Sequence, residues 1–152
     1  MNFMLQLMTM LGISGTDLAI KNHIEKEKNM NCEEKIGKGY LLIRKSHNYG
    51  AFLNWGEKYP HLVAALSVGL TLFVLLLYVA TFFHAGKGLL KWGLTLLLGG
   101  AFSNTYDRLH RKYVVDYISF HVPCKKLRSI VFNLGDFAIM IGALLTVIAA
   151  SS

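Results

Sequence analysis

The sequence predicts a mostly α-helical, integral membrane protein with four transmembrane helices. Three observations lead there. The chain is 53% hydrophobic over 152 residues, and its apolar residues gather in runs too long for a small soluble core. The run 61–83, "HLVAALSVGLTLFVLLLYVATFF", contains no Asp, Glu, Lys or Arg, and about 20 apolar residues suffice to cross a bilayer as a helix. Runs 89–106 and 130–150 repeat the pattern, and 1–20 is a fourth, weaker run. The length suits a single domain covering 1–152.

The first run, 1–20, holds Asn2, Gln6, Ser14, Thr16 and Asp17. It lacks the basic leading region and small-residue cleavage site of a secretory signal, so it reads as a retained anchor. A long polar loop, 21–60, follows with all five glutamates and eight of the sixteen Lys and Arg. Its first half, "KNHIEKEKNMNCEEK", reads as solvated, with room for a helix. Its second half, "GKGYLLIRKSHNYGAF", is bounded by glycines and has room for one or two short strands. A short turn, "HAGKGLLK", joins the second and third spans. The loop after the third span carries Arg108, Arg111, Lys112, Lys125, Lys126 and Arg128.

A net charge of +7 raises nucleic acid as a partner. Most of the basic residues flank spans, however, where they meet anionic lipid headgroups. Membrane lipid is therefore the expected partner, and nucleic acid is not. Only Lys87 and Lys91 lie in the short turn; the larger loops hold the other fourteen basic residues. Lys and Arg accumulate on the cytoplasmic side, so this count alone places the larger loops inside the cell. Cys32 and Cys124 fit no metal-binding spacing and make no disulfide framework. They lie in loops on the same side of the four-span plan, as two free thiols or one bridge.

All four aspartates sit at span ends or just beyond: Asp17, Asp107, Asp116 and Asp136. Ionisable groups at membrane depth are costly and tend to be functional or paired. Asp17 has Lys21 one helical turn on, so a helix-surface ion pair competes with a functional role. Asp107 stands beside Arg108 and one turn after Asn104, which fits an interfacial ion pair or hydrogen-bond anchor. Asp116, in "KYVVDYISFHV", is a loop residue or a carboxylate held against the bilayer face. Asp136 invites a helix-capping role, but the apolar run begins at Ile130, which would put the acid about a turn and a half inside the helix. Should Asp116 and Asp136 converge, they make a two-carboxylate site. Two close carboxylates share a proton; the ionised one activates water and the protonated one polarises a carbonyl.

Five stretches in order resemble the bacterial lipoprotein signal peptidases, the type II signal peptidases. "DLAIK" is similar to the family's Asp-x-x-x-Lys, and "HNYGAF" to its Asn-x-Gly-Ala-Phe. "GGAFSNTYDR" resembles Gly-Gly-Ala-x-x-Asn-x-x-Asp-Arg, "YVVDYISF" resembles Val-Val-Asp-Phe, and "FNLGD" resembles Phe-Asn-x-Ala-Asp. The resemblance covers nearly the whole chain. It implies a bacterial cell-membrane aspartic endopeptidase with four transmembrane helices and a small β-sheet in the long first extracytoplasmic loop. Both termini would be cytoplasmic, with the larger loops and the active site outside, against the charge count. Catalysis facing translocated substrate decides for the family topology.

The implied substrates are prolipoproteins carrying a diacylglyceryl group on the lipobox cysteine, cut just before that cysteine. Asp116 and Asp136 would be the catalytic pair. Asn104, Asp107, Arg108 and Asn133 would hold the site and the substrate backbone, and Asp17, Lys21, Asn48 and Gly50 would shape its outer rim. No metal or organic cofactor is implied, and one chain carries the full motif set, so a monomer suffices. The sequence departs from the pattern at four places: Ser103 and Lys112 stand where glycine is usual, Gly135 replaces Ala, and Tyr117 replaces Phe. Of these, the Gly135 and Tyr117 changes read as mild. Lys112 bears on the turn, because glycine permits backbone angles that lysine resists.

Other membrane proteases fit less well. "GISG" is similar to the Gly-x-Ser-Gly of rhomboid proteases, but Ser14 has no histidine within its span to activate it. "NLGD" is similar to the Gly-x-Gly-Asp of presenilin-like and prepilin peptidases, with Asn133 in place of the first glycine. No His-Glu-x-x-His zinc signature is present. The alternative in another class is a non-catalytic four-span paralogue that binds lipidated peptides or partner helices.

Overall fold

The computed structural model describes residues 3–30, 33–37, 39–50, 56–83 and 86–151. Cys32, Ala51 and Phe52 of "HNYGAF", and His84 and Ala85 of the short turn lie outside the described residues. The elements in chain order are α1 (Phe3–Glu27), β1 (Glu33–Ile36), β2 (Leu41–Asn48), α2 (Pro60–Ala80), α3 (Gly88–His110), β3 (Val114–Phe120), α4 (Lys125–Arg128) and α5 (Leu134–Ala150). A 3₁₀ turn, Thr81–Phe83, extends α2. Pro60 suits the start of α2, where its missing N–H costs no helical bond and its fixed φ is already helical.

Among the described residues, Phe3–Glu27 and Pro60–Phe83 are long and apolar enough to cross a membrane, and Leu134–Ala150 is a shorter apolar helix. Helix α3 interrupts its apolar run with Lys91 near one end and Asn104, Asp107 and Arg108 near the other. The outer faces of α2 and α5 expose Leu66, Phe73, Leu76, Leu144 and Val147. The interior between α1, α2 and α3 is filled by Met10, Tyr78, Leu94 and Leu98.

Helices α3 and α5 pack backbone to backbone. A Cβ on Gly142 would meet the Gly93 carbonyl oxygen at 2.6 Å, and one on Gly93 would meet the Thr146 Oγ1 at 2.6 Å. Further along the pair, a Cβ on Gly100 would collide with the Gly135 carbonyl oxygen. The absence of a side chain at these glycines is what allows the two backbones to approach so closely. Gly135, a departure from the family pattern, is thus part of the α3–α5 seam.

The three strands form one antiparallel sheet in the order β1-β2-β3. Strand β2 is the one expected from the long loop, and β1 lies just before its glycine boundary. Gly37 and Gly39 both adopt positive φ in the turn that joins them. Strand β3 corrects the reading of 114–120 as loop. Its Val-Val-x-Tyr-Ile-x-Phe composition suits a pleated surface, and Val114 to Tyr117 are buried in succession, so both faces are covered. The sheet rests on the end of α1 through Ile24, Val115 and Tyr117. Helix α1 therefore continues through the first polar residues of the long loop, because Ile24 has a sheet to pack against.

Candidate active site

The site is assembled by one short backbone pairing. Phe132 N–H donates to the Ile118 carbonyl at 2.7 Å, and Ile118 N–H returns the bond to Phe132 at 2.8 Å. This bridge takes residue 132 out of any helix and fixes it against β3. Helix α5 consequently begins at Leu134, not at Ile130, which corrects the expected span start.

Asn133 then caps α5. Its Oδ1 accepts from Asp136 N–H at 2.8 Å, and Asp136 Oδ2 accepts from Asn133 N–H at 3.0 Å. This reciprocal capping box corrects the expectation that a cap explains Asp136 poorly. The acid lies in the first turn of α5, where negative charge is favoured. The same residue caps the helix and lines a cavity.

Asn133 also reaches the other carboxylate: its Nδ2 donates to Asp116 Oδ1 at 2.7 Å. The second Asp116 oxygen accepts from Asn48 Nδ2 at 3.2 Å. Asn48 pairs with Val114 across the sheet, one same-face step from Asp116, so strand register sets this contact. Asp136 Oδ1 accepts from Asn104 Nδ2 at 2.9 Å. Three asparagines and one backbone amide thus hold the four carboxylate oxygens.

Asp116 and Asp136 line one cavity of about 780 Å³ together with Asn48, Asn104 and Arg108. Its remaining wall is largely apolar, with Leu70, Val74, Leu97, Ile139 and Met140. Burial, and then the neighbouring Asp136 charge, push the Asp116 carboxyl up to about 7. A carboxyl so raised holds its proton until the pH approaches neutrality. Arg108 Nη2 donates to the Gly50 carbonyl at 3.0 Å, and Gly50 N–H in turn donates to Asn48 Oδ1 at 3.1 Å. The buried Arg108 Nε has no hydrogen-bond partner among the described residues. No group of three or more His, Cys, Asp or Glu side chains among them is placed to hold a metal ion.

Asp17 and Lys21 do not form an outer rim. Both are fully buried behind the carboxylates, 2.7 Å apart, so the pair is not a helix-surface one. Lys21 Nζ also donates to Ser103 Oγ at 3.0 Å and to Asn104 Oδ1 at 2.7 Å. Asp107 is likewise fully buried. It accepts from Val115 N–H at 3.1 Å and pairs with Arg111 at 3.0 Å and Lys21 at 3.4 Å. Its place is in holding β3 against α3 rather than in the cavity wall. Sequence reasoning singled out Ser103 and Tyr117 only as departures from the family pattern; both prove to touch this buried network.

Lys112 is the only described non-glycine residue with positive φ, at 70°. It follows the cap of α3, the position glycine usually takes at a helix end.

A family model described as signal peptidase (SPase) II matches residues 9–151. The lipoprotein signal peptidase of Mesorhizobium japonicum is 33% identical over 112 residues, which is 71% of this chain and 62% of that protein. That of Brucella ovis is 34% identical over 105 residues, 68% of this chain and 63% of that protein. The chain therefore spans less than two thirds of the length of these curated relatives. A bacterial membrane enzyme solved by the in meso method at 2.3 Å superposes with a TM-score of 0.83 at 21% identity, covering 97% of this chain and 88% of that one. A second such structure, at 1.9 Å, superposes with a TM-score of 0.78 at 20% identity, covering 97% of this chain and 93% of that one. These two show the fold.

Proposed function

This chain belongs to the signal peptidase II family, and from that premise we propose that it is a membrane aspartic endopeptidase removing signal peptides from diacylglyceryl-modified prolipoproteins. The observation that carries the reading is that Asp116 and Asp136 line one cavity and are both bound by Asn133. On this reading they are the catalytic pair. The ionised carboxylate takes a proton from water as the water oxygen attacks the scissile carbonyl carbon. The protonated carboxyl donates to the carbonyl oxygen. The tetrahedral gem-diol then collapses: the C–N bond breaks, the departing amine of the lipidated cysteine takes up a proton from one carboxyl, and a gem-diol hydroxyl returns its proton to the other carboxylate as the new carboxyl group forms, which restores the singly protonated pair.

The rest of the cavity suits such a substrate. Asn48 and Asn104 keep the carboxylates from swinging away, and Arg108 places a guanidinium in the cavity wall beside them. The apolar wall of Leu70, Val74, Ile139 and Met140 receives the apolar signal peptide or the acyl chains. The chain is then a single domain crossing the bacterial cell membrane four times, by α1, α2, α3 and α5. Its termini are cytoplasmic, and its sheet and dyad lie towards the extracytoplasmic face. One copy suffices.

The test is reconstitution in lipid with a diacylglyceryl-modified prolipoprotein and detection of signal-peptide release before the lipidated cysteine. Wild type is expected to cleave, and Asp116→Asn and Asp136→Asn to fold without cleaving. Undiminished cleavage by either variant sinks the dyad. Wild-type binding without cleavage favours the non-catalytic paralogue.

A further inference from the structure

Tyr117 and Ser103, the hydroxyl-bearing departures from the family motifs, both end on the same buried carboxylate. Tyr117 OH donates to Asp17 Oδ1 at 2.8 Å, and Ser103 Oγ donates to Asp17 Oδ2 at 2.6 Å. Lys21 binds that second oxygen too, and Leu134 N–H reaches Oδ1 at 3.1 Å. Four donors saturate a carboxylate, which has about four lone-pair sites. Tyr117, Ser103, Lys21 and Asp17 are all essentially excluded from solvent, so each lost bond leaves one acceptor site of the carboxylate unfilled with no water to replace it.

Two routes lead from this carboxylate to Asp136. Leu134 N–H donates to Tyr117 OH at 3.0 Å as well as to Asp17. Leu134 opens α5, and Asp136 lies in the same turn. The second route runs through Lys21, which has only donors to offer. It must therefore bind the oxygen of the Asn104 amide, and that leaves the Asn104 nitrogen facing Asp136. Ser103 Oγ accepts from Lys21 while donating to Asp17, so it fixes where the ammonium sits. Burial and the Asp17 charge hold the Tyr117 hydroxyl above the usual tyrosine range, so it remains a donor.

We propose that Ser103 and Tyr117 are coupled positioning residues which, through Asp17, set the first turn of α5 and the donor that Asn104 presents to Asp136. The two act as a unit because they share one acceptor. The inference rests on the peptidase reading only for its kinetic consequence.

The experiment compares Tyr117→Phe, Ser103→Ala and the double variant in the lipid-reconstituted cleavage assay. Each single variant is expected to lose about tenfold in kcat, the rate equivalent of roughly one hydrogen bond, with KM within about twofold. The double variant should fall short of the product of the single losses, since the sites couple. A fall in KM alone, or singles whose kcat matches wild type, overturns the proposal. Should Tyr117→Phe not fold, Ser103→Ala decides by the same kcat criterion.

Hydrogen exchange of the Leu134 amide reads the network without activity. It should be faster in Tyr117→Phe and unchanged in a variant of the exposed Leu144. Exchange at the wild-type rate in Tyr117→Phe overturns the positioning role even if the wild type does not cleave, whereas absent wild-type cleavage with faster exchange rejects the peptidase reading and leaves the network in place.

Discussion

Asn133 does two separable jobs, and two substitutions pull them apart. Its carbonyl oxygen caps α5 by accepting from Asp136 N–H at 2.8 Å, and its amide nitrogen donates to Asp116 Oδ1 at 2.7 Å. The side chain is fully buried. Asn133→Ala removes both. Loss of the cap costs about 1 kcal/mol, and the unsatisfied buried Asp116 oxygen adds about 1–3 kcal/mol. A total near 2–4 kcal/mol is a large share of a small domain's stability. Asn133→Ser restores a cap, because serine is a strong N-cap residue. Its side chain is one group shorter and cannot span to Asp116. Serine should therefore recover about 1 kcal/mol of stability relative to alanine and none of the catalytic rate. Losing a hydrogen bond of about 1.5 kcal/mol corresponds to roughly tenfold in kcat. Thermal unfolding in detergent reads the first effect, and steady-state cleavage of a lipidated prolipoprotein reads the second. Serine restoring stability and rate together would refute the division of labour, as would serine restoring neither.

Asp116 holds its proton up to about 7 in the folded chain but only to its usual 3.8 when exposed. Folding therefore takes up a proton between those values. Its favourable contribution is complete below about 4 and is lost as pH rises through about 7. Asp116→Asn should flatten that slope in pH-dependent unfolding, and wild-type cleavage should decline above about pH 7 as the shared proton leaves the pair. At the end of α3, Lys112→Gly should raise stability by about 0.5–1 kcal/mol. The left-handed conformation costs a side-chain-bearing residue about 1–2 kcal/mol, which exceeds glycine's extra unfolded-state entropy. A midpoint lower than wild type would show that the exposed Lys112 Nζ to Leu109 carbonyl bond outweighs the strain.

Where the sequence reading and the structure part, the cause is a long-range contact. The run starting at Ile130 looks helical because hydropathy is a local property. It yields at Phe132 because Tyr117 and Ile118 of β3 take that residue's backbone bonds. Strand β3 itself has a strand-like composition but needs β2 to pair with, and β2 is contributed by the first loop. Asp17 and Lys21 read as a one-turn ion pair, and they are one. Their complete burial depends on Ser103, Asn104 and Tyr117 arriving from α3 and β3, which no spacing within "DLAIK" encodes. Tyr117 looked like a mild replacement because a phenyl ring and a phenol differ by one atom. That atom matters only where Asp17 and Leu134 wait for it.

The sequence by itself determined the apolar helices, the polar long loop, the identity of the acids and the order of motifs that marks the family. Each of these is written in residue type and short spacing, so hydrophobic run length and local chemistry suffice. Only the tertiary structure decided that Asp116, on a strand, and Asp136, in a capped first turn, share a cavity and a common asparagine. The physical reason is that their meeting depends on backbone pairing between β3 and residue 132 and on the glycine seam between α3 and α5. Both are made by groups every residue carries or by the absence of a side chain, and neither announces its partner in the sequence.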